Sequence, residues 1–196
     1  MGMAGIVSLL DGENSARVRA LWSELEREFG VRGVYATPFP HFSYHVAESY
    51  DAERLRDVLA CFCREHQRFS VRTAGLGIFT GVRPVLYVPV VRDPSLVRVH
   101  AELWSTVHGS GAGEQAYYAP ESWIPHITIG FGDLGKGNLG QIAAYLVERD
   151  FAWESAVDNV TLIDASGDQQ AIHWRFALGT GELLPPESYT GSPDSE

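Results

Sequence analysis

Apolar positions along this chain recur with two periods, every second residue and every third or fourth, and the chain alternates between them in a regular order. Residues 6–10 read as a strand. Over 14–29 the apolar set Val18, Leu21, Trp22, Leu25 and Phe29 falls at helical spacing, and Gly30 ends that helix. Residues 42–46 alternate as a strand does. Asp51 then opens a second helix with apolar positions Leu55, Val58, Leu59 and Phe62. Strands follow at 69–79 and 85–91, joined by a turn at 80–84, and Pro94 starts a helix that reaches about His108. Residues 109–119, rich in glycine and small side chains, form a loop and the expected junction between two lobes.

Beyond that loop the order repeats. A Pro-His strand stands at 125–131, a helix at 138–149 and strands at 151–164 and 172–178. The chain therefore reads as a duplicated α+β unit, one two-lobed domain over 1–184. The stretch 185–196 has little to bury and is expected to be a disordered tail.

The repeat matters because equivalent points carry equivalent chemistry. The first copy has Pro40-His41-Phe42-Ser43, and the second has Pro125-His126-Ile127-Thr128, with the histidines 85 residues apart. Strand alternation puts His41 and Ser43 on one face with Phe42, Tyr44 and Val46 on the other, and it separates His126 and Thr128 from Ile127, Ile129 and Phe131 in the same way. About one residue in eight is Ser or Thr, so seven histidines give roughly one His-x-Ser/Thr match by chance. Three occur. His108-Gly109-Ser110 sits in the glycine-rich loop, where no alternation aligns the two side chains. The other two share a preceding proline, a strand and a following helix, which chance does not supply.

The paired motifs His41-Phe42-Ser43 and His126-Ile127-Thr128 resemble those of the 2H phosphoesterase superfamily, which includes 2′-5′ RNA ligase-like proteins and cyclic nucleotide phosphodiesterases. The resemblance runs from the first strand to about Leu178. It implies two pseudo-symmetric lobes around a central cleft, each an antiparallel sheet with helices on its outer face. It also implies acid/base catalysis by His41 and His126 and phosphate contacts from Ser43 and Thr128. The expected reaction is metal-independent cleavage of a 2′,3′-cyclic phosphate or a 2′-5′ phosphodiester of RNA ends or nucleotides, with 2′-5′ ligation as its reverse and no cofactor. His45 departs from the pattern by adding an imidazole, expected on the same strand face as His41.

The chemistry suits these residue types. One imidazole takes a proton from water or a ribose hydroxyl while the other returns one to the departing ribose oxygen, and the hydroxyls donate to non-bridging phosphate oxygens. Further substrate contacts are expected from His45 and from Arg83, Arg72 and Arg175, because a guanidinium suits bidentate anion recognition. Tyr35, Tyr117, Tyr118 and Trp123 are candidates for stacking on a base. The alternative use of the same cleft is a binding module that holds a nucleotide or phosphometabolite without turnover.

Composition narrows the partners. A formal charge of −10 opposes wrapping an extended duplex and leaves a small nucleotide or RNA end as the expected substrate. No apolar run approaches the roughly 20 residues that span a bilayer, so a cytoplasmic protein, monomeric by default, is expected. Cys61 and Cys63 diverge on a helix, and with His66 they lack a second cluster of metal ligands. Residues 130–137 nearly spell a P-loop but place Gly137 where the magnesium-binding hydroxyl belongs and add Asp133. A serine nucleophile elbow is absent from the sequence.

Overall fold

Aspartates start the three longer helices, each accepting backbone N–H groups that the first turn leaves without partners. A computed structural model describes residues 3–166 and 169–185, so all but the first residue of the expected tail lies outside the described residues. Asp11 accepts from the Asn14 amide at the head of α1 (Gly12–Phe29), and Asp51 from Arg54 at the head of α2 (Ala52–Glu65). Asp93 accepts from Ser95 and Leu96 at the head of α3 (Pro94–Val107), with Pro94 in the first turn. Gly30 closes α1 in the left-handed conformation, φ 69°. The last helix, α4 (Leu139–Leu146), is shorter than its periodicity predicts. Among the described residues no helix is long and apolar enough to cross a membrane.

The strands are β1 (Ala4–Leu9), β2 (His41–Ala47), β3 (Ser49–Tyr50), β4 (Phe69–Arg72), β5 (Gly77–Phe79), β6 (Val85–Pro89), β7 (Gly111–Ala112), β8 (His126–Gly130), β9 (Glu154–Val157), β10 (Asn159–Ser166) and β11 (Gln169–Ala177). All pair antiparallel, in sheets ordered β11-β10-β1-β2 and β5-β6-β8, with two short ribbons, β3-β7 and β4-β9. Two expected strands are each broken in two. Gly75 turns the chain at φ 68° between β4 and β5, and Asp158 separates β9 from β10 because the two pieces pair with different partners.

The two copies exchange parts. β5, which follows the first motif, joins the sheet of the second; β10 and β11, which follow the second motif, complete the sheet of the first. One helix crosses over likewise, α1 packing against β8, while α3 packs against β2 of its own half. One core results. It runs through Val18, Trp22 and Leu25 of α1, Leu55 and Leu59 of α2, Leu96 and Leu103 of α3, and the inward positions Phe42, Tyr44, Ile127 and Ile129.

β2 and β8 are both edge strands, and they pack against each other without pairing. Carbonyls on these buried strands need donors from elsewhere. Trp123 Nε1 donates to the Ser43 carbonyl at 2.8 Å, and Trp22 Nε1 donates to the Thr128 carbonyl at 3.1 Å. His100 Nε2 lies 3.1 Å from both the Tyr44 and Tyr118 carbonyls, so that nitrogen carries the hydrogen, and the ring stacks on Trp123 at 3.7 Å.

Replacing Trp123 with Phe keeps most of the volume and removes the donor. The buried Ser43 carbonyl then lacks its partner, and unfolding free energy should drop by about 1–3 kcal/mol, measured by urea titration near neutral pH. His100 generates a pH prediction. Burial, only partly opposed by its two carbonyl partners, pushes its pKa down from 6.5 to about 4. The unfolded ring binds a proton near 6.5 and the folded ring only near 4, so this contribution is complete above 6.5 and is lost as pH falls through that window, at a cost of about 3 kcal/mol. His100→Gln should flatten the stability curve between pH 6.5 and 4 by about one proton's slope; an unchanged slope would contradict a neutral buried ring.

Candidate active site

The two motif histidines stand at the first positions of β2 and β8, each after a proline that fixes the approach of the chain. His41 Nδ1 lies 2.6 Å from the Phe39 carbonyl, and His126 Nδ1 lies 2.8 Å from the Ile124 carbonyl. A carbonyl only accepts. Each Nδ1 therefore carries the hydrogen, and each neutral ring keeps its lone pair on Nε2. The same two-residue reach across a proline builds both contacts.

Both residues are half-buried. Burial is the main cause that lowers the His41 pKa, to about 4; the Phe39 carbonyl opposes it and the nearby charge of His126 lowers it further. Burial also lowers the His126 pKa, against the pull of the Ile124 carbonyl. His126 thus lies within electrostatic reach of His41, across the seam where β2 meets β8.

Ser43 and Thr128 follow two residues on and share the faces of the histidines. The Ser43 side chain hydrogen-bonds the buried Tyr118 hydroxyl, whose pKa burial pushes up. Immediately after each hydroxyl residue the ladder slips by one. Ile6 pairs with His45 and Val7 with Ser43, leaving Tyr44 extra; Leu86 pairs with Gly130 and Tyr87 with Thr128, leaving Ile129 extra. Both motifs end in a β-bulge at the same point, which re-aims the side chains beyond it.

That bulge corrects the expectation for His45. Its side chain does not follow His41 and Ser43: it lies in register with the core residue Ile6, 1% exposed, with Nδ1 2.5 Å from the Tyr50 hydroxyl. Trp123 is also corrected as a stacking residue. It is 0% exposed and stacks on His100 at 3.7 Å with the Tyr44 ring 6.0 Å away, so no face is open to a ligand. Tyr35 is half-buried edge-on to Trp22, Tyr117 is 60% exposed, and Arg83 is exposed in the β5–β6 turn. Arg72 is exposed on β4 beside β9. Arg175 pairs with Thr161, which pairs with Val7, which pairs with Ser43, so it shares the face of the first motif. Asp133 accepts from the Arg32 and Gly33 amides at 2.7 Å, so the P-loop-like segment is a structural tie.

Two residues that the sequence reading did not single out wall the second motif. Phe79 meets the His126 ring at 4.9 Å and 84°, Tyr87 meets it at 5.2 Å and 60°, and the two stack on each other at 4.2 Å. Tyr87 pairs with Thr128 and lies across Gly77, where a Cβ would come within 2.3 Å of its ring. The alternation of half-buried and buried positions along β6 is the signal that could have marked Tyr87.

Two half-buried imidazoles, each with a hydroxyl two residues on, are groups able to accept and donate one proton each. Comparison with solved structures finds the same architecture elsewhere. TT0787 of Thermus thermophilus matches with a TM-score of 0.63 at 18% identity over 91% of this chain and 98% of that one. Escherichia coli LigT complexed with NADP+ matches at 0.56 and 16% over 91% and 98%, and LigT complexed with 3′-AMP at 0.56 and 19% over 90% and 97%. No curated protein sequence matches the chain. The model of the 2′-5′ RNA ligase superfamily matches residues 12–169, a span that holds both motif strands, and the chain belongs to that superfamily.

Proposed function

We infer that the protein is a metal-independent phosphodiesterase for small nucleotides or RNA ends, acting on a 2′,3′-cyclic phosphate or a 2′-5′ linkage, with 2′-5′ ligation as the reverse reaction. The carrying observation is the matched pair of imidazoles, each held through Nδ1 to a carbonyl with Nε2 left for chemistry. The membership in a phosphoesterase and ligase superfamily supports the reaction class. LigT has been solved with NADP+, ATP and 3′-AMP, which supports a nucleotide as ligand.

A charge on either imidazole disfavours a charge on the other, so the pair shares one proton. We take His41 as the base and His126 as the acid in hydrolysis. In hydrolysis His41 takes a proton from water as its oxygen bonds to phosphorus. The bond from phosphorus to a ribose oxygen breaks, and His126 gives that oxygen its proton. Ser43 and Thr128 donate to the non-bridging oxygens as charge builds there. A bound phosphate raises the proton affinity of both rings, which supplies the acid form near neutrality. In ligation a ribose 5′-hydroxyl takes the place of water: its oxygen bonds to the phosphorus of a 2′,3′-cyclic phosphate as one imidazole takes its proton, the bond from phosphorus to O3′ breaks, and the other imidazole protonates O3′.

Purified protein in the presence of chelator, assayed against nucleoside 2′,3′-cyclic phosphates, 2′-5′ dinucleotides and ADP-ribose cyclic phosphate, should turn over at least one class. Saturable binding without product would reduce the site to a receptor. On the active substrate His41→Ala and His126→Ala should each lower turnover by about 10²–10⁴-fold, and Ser43→Ala and Thr128→Ala by less.

The pH profile gives a separate check. With both free-enzyme pKa values lowered, that of His41 to about 4, the state holding one proton is most populated in the acid interval below pH 6.5. The profile of kcat/KM should be a bell peaking in that interval, with the optimum of kcat displaced upward by the bound anion. A flat kcat/KM from about pH 5 to 9 would remove the two-imidazole mechanism.

A further inference from the structure

We propose that His45, His108 and Glu114 form a binding site for one first-row divalent cation, zinc by the character of the ligands, separate from the phosphodiester site. The three side chains come from β2, from the residue after α3 and from the loop beyond β7, and one ligand atom from each lies within 4.8 Å of the others. His45 Nε2 is 3.7 Å from one Glu114 oxygen, and His108 Nδ1 is 2.8 Å from the other. Ligand atoms about 2.0–2.2 Å from a tetrahedral zinc are about 3.3–3.5 Å apart, so three atoms already within 4.8 Å of one another need only a small inward shift to hold the ion. Two imidazoles and one carboxylate are the donor set of sites that keep one position open for water.

Each ligand is already oriented by a contact of its own. His45 Nδ1 bonds the Tyr50 hydroxyl at 2.5 Å, which leaves Nε2 facing Glu114. One Glu114 oxygen accepts from the Gly109 and Gly111 amides at 2.8 and 3.0 Å. The His108 ring stacks on Trp104 at 4.2 Å and 14°. Such outer contacts fix the tautomer and the direction of a metal ligand. Glu48 adds a second carboxylate beside Gly113, in a protein of formal charge −10. The cluster is buried on the His45 side and open on the His108 side, which gives an ion a way in.

The site stands apart from the catalytic pair. Four residues of β2, about 13 Å at ~3.3 Å each, separate His45 from His41, and the bulge at Tyr44 turns the two onto opposite faces. An ion here would tie the 109–114 loop to β2 and β3, upstream of the Tyr118 and Trp123 that hold Ser43.

The test uses untagged full-length protein, stripped with chelator and dialysed, titrated with Zn²⁺ by calorimetry and followed by thermal unfolding. One equivalent should bind at micromolar or lower concentration and raise Tm. His108→Ala, at an exposed position, should weaken binding by more than about tenfold and abolish the Tm rise, and Glu114→Gln should act alike. His173→Ala, at a histidine paired with Asp164 elsewhere, should change neither. No equivalent tighter than about 100 µM, or a tight one that survives His108→Ala, would overturn the site and leave a proton-bridged His-Glu-His contact. The phosphodiesterase reading is independent of this outcome, since no readout here is turnover.

Discussion

The backbone of two buried edge strands has to be satisfied without a third strand between them. β2 and β8 meet along a seam where neither pairs with the other, and a carbonyl left bare there would cost as much as a lost buried hydrogen bond. Two indoles and one imidazole solve this. Trp123 and Trp22 reach the carbonyls of the two hydroxyl residues themselves, so the groups that seal the seam also fix the backbone from which Ser43 and Thr128 project. Packing and site geometry are thus one requirement.

The same seam sets the electrostatics. Histidines near an apolar core lose hydration, and at His41, His45, His100 and His126 burial is the leading cause that favours the neutral form. His41 and His126 commit Nδ1 to a carbonyl and keep the lone pair on Nε2. His100 commits its Nε2 to two carbonyls and serves the fold. One physical bias acts at four places, and the hydrogen-bond partner of each ring nitrogen decides what the imidazole has left to offer.

Much of this was legible in the chain. Helix starts at Asp51 and Pro94, the stop at Gly30 and the two Pro-His-x-Ser/Thr strands all appear where local spacing places them. What escaped depends on contacts between distant residues. Alternation predicts His45 beside His41, yet a one-residue slip against β1 turns it inward, and a slip is a property of the pair of strands. Trp123 looks like a stacking ring until α3 supplies His100 to cover it. Phe79 and Tyr87 gain meaning because β5 and β6 lie beside β8, and His45 meets Glu114 only because the loop after α3 returns to β3.

The exchange of strands between the copies has a consequence for how the molecule can be divided. A half-chain cut in the 109–119 loop would carry β1 without β10 and β6 without β8. Neither fragment closes its own ladder, although each holds a complete His-x-Ser/Thr sequence. Each repeat therefore supplies the strands that finish the other's sheet, and the two are bound by backbone ladders as well as by side-chain packing.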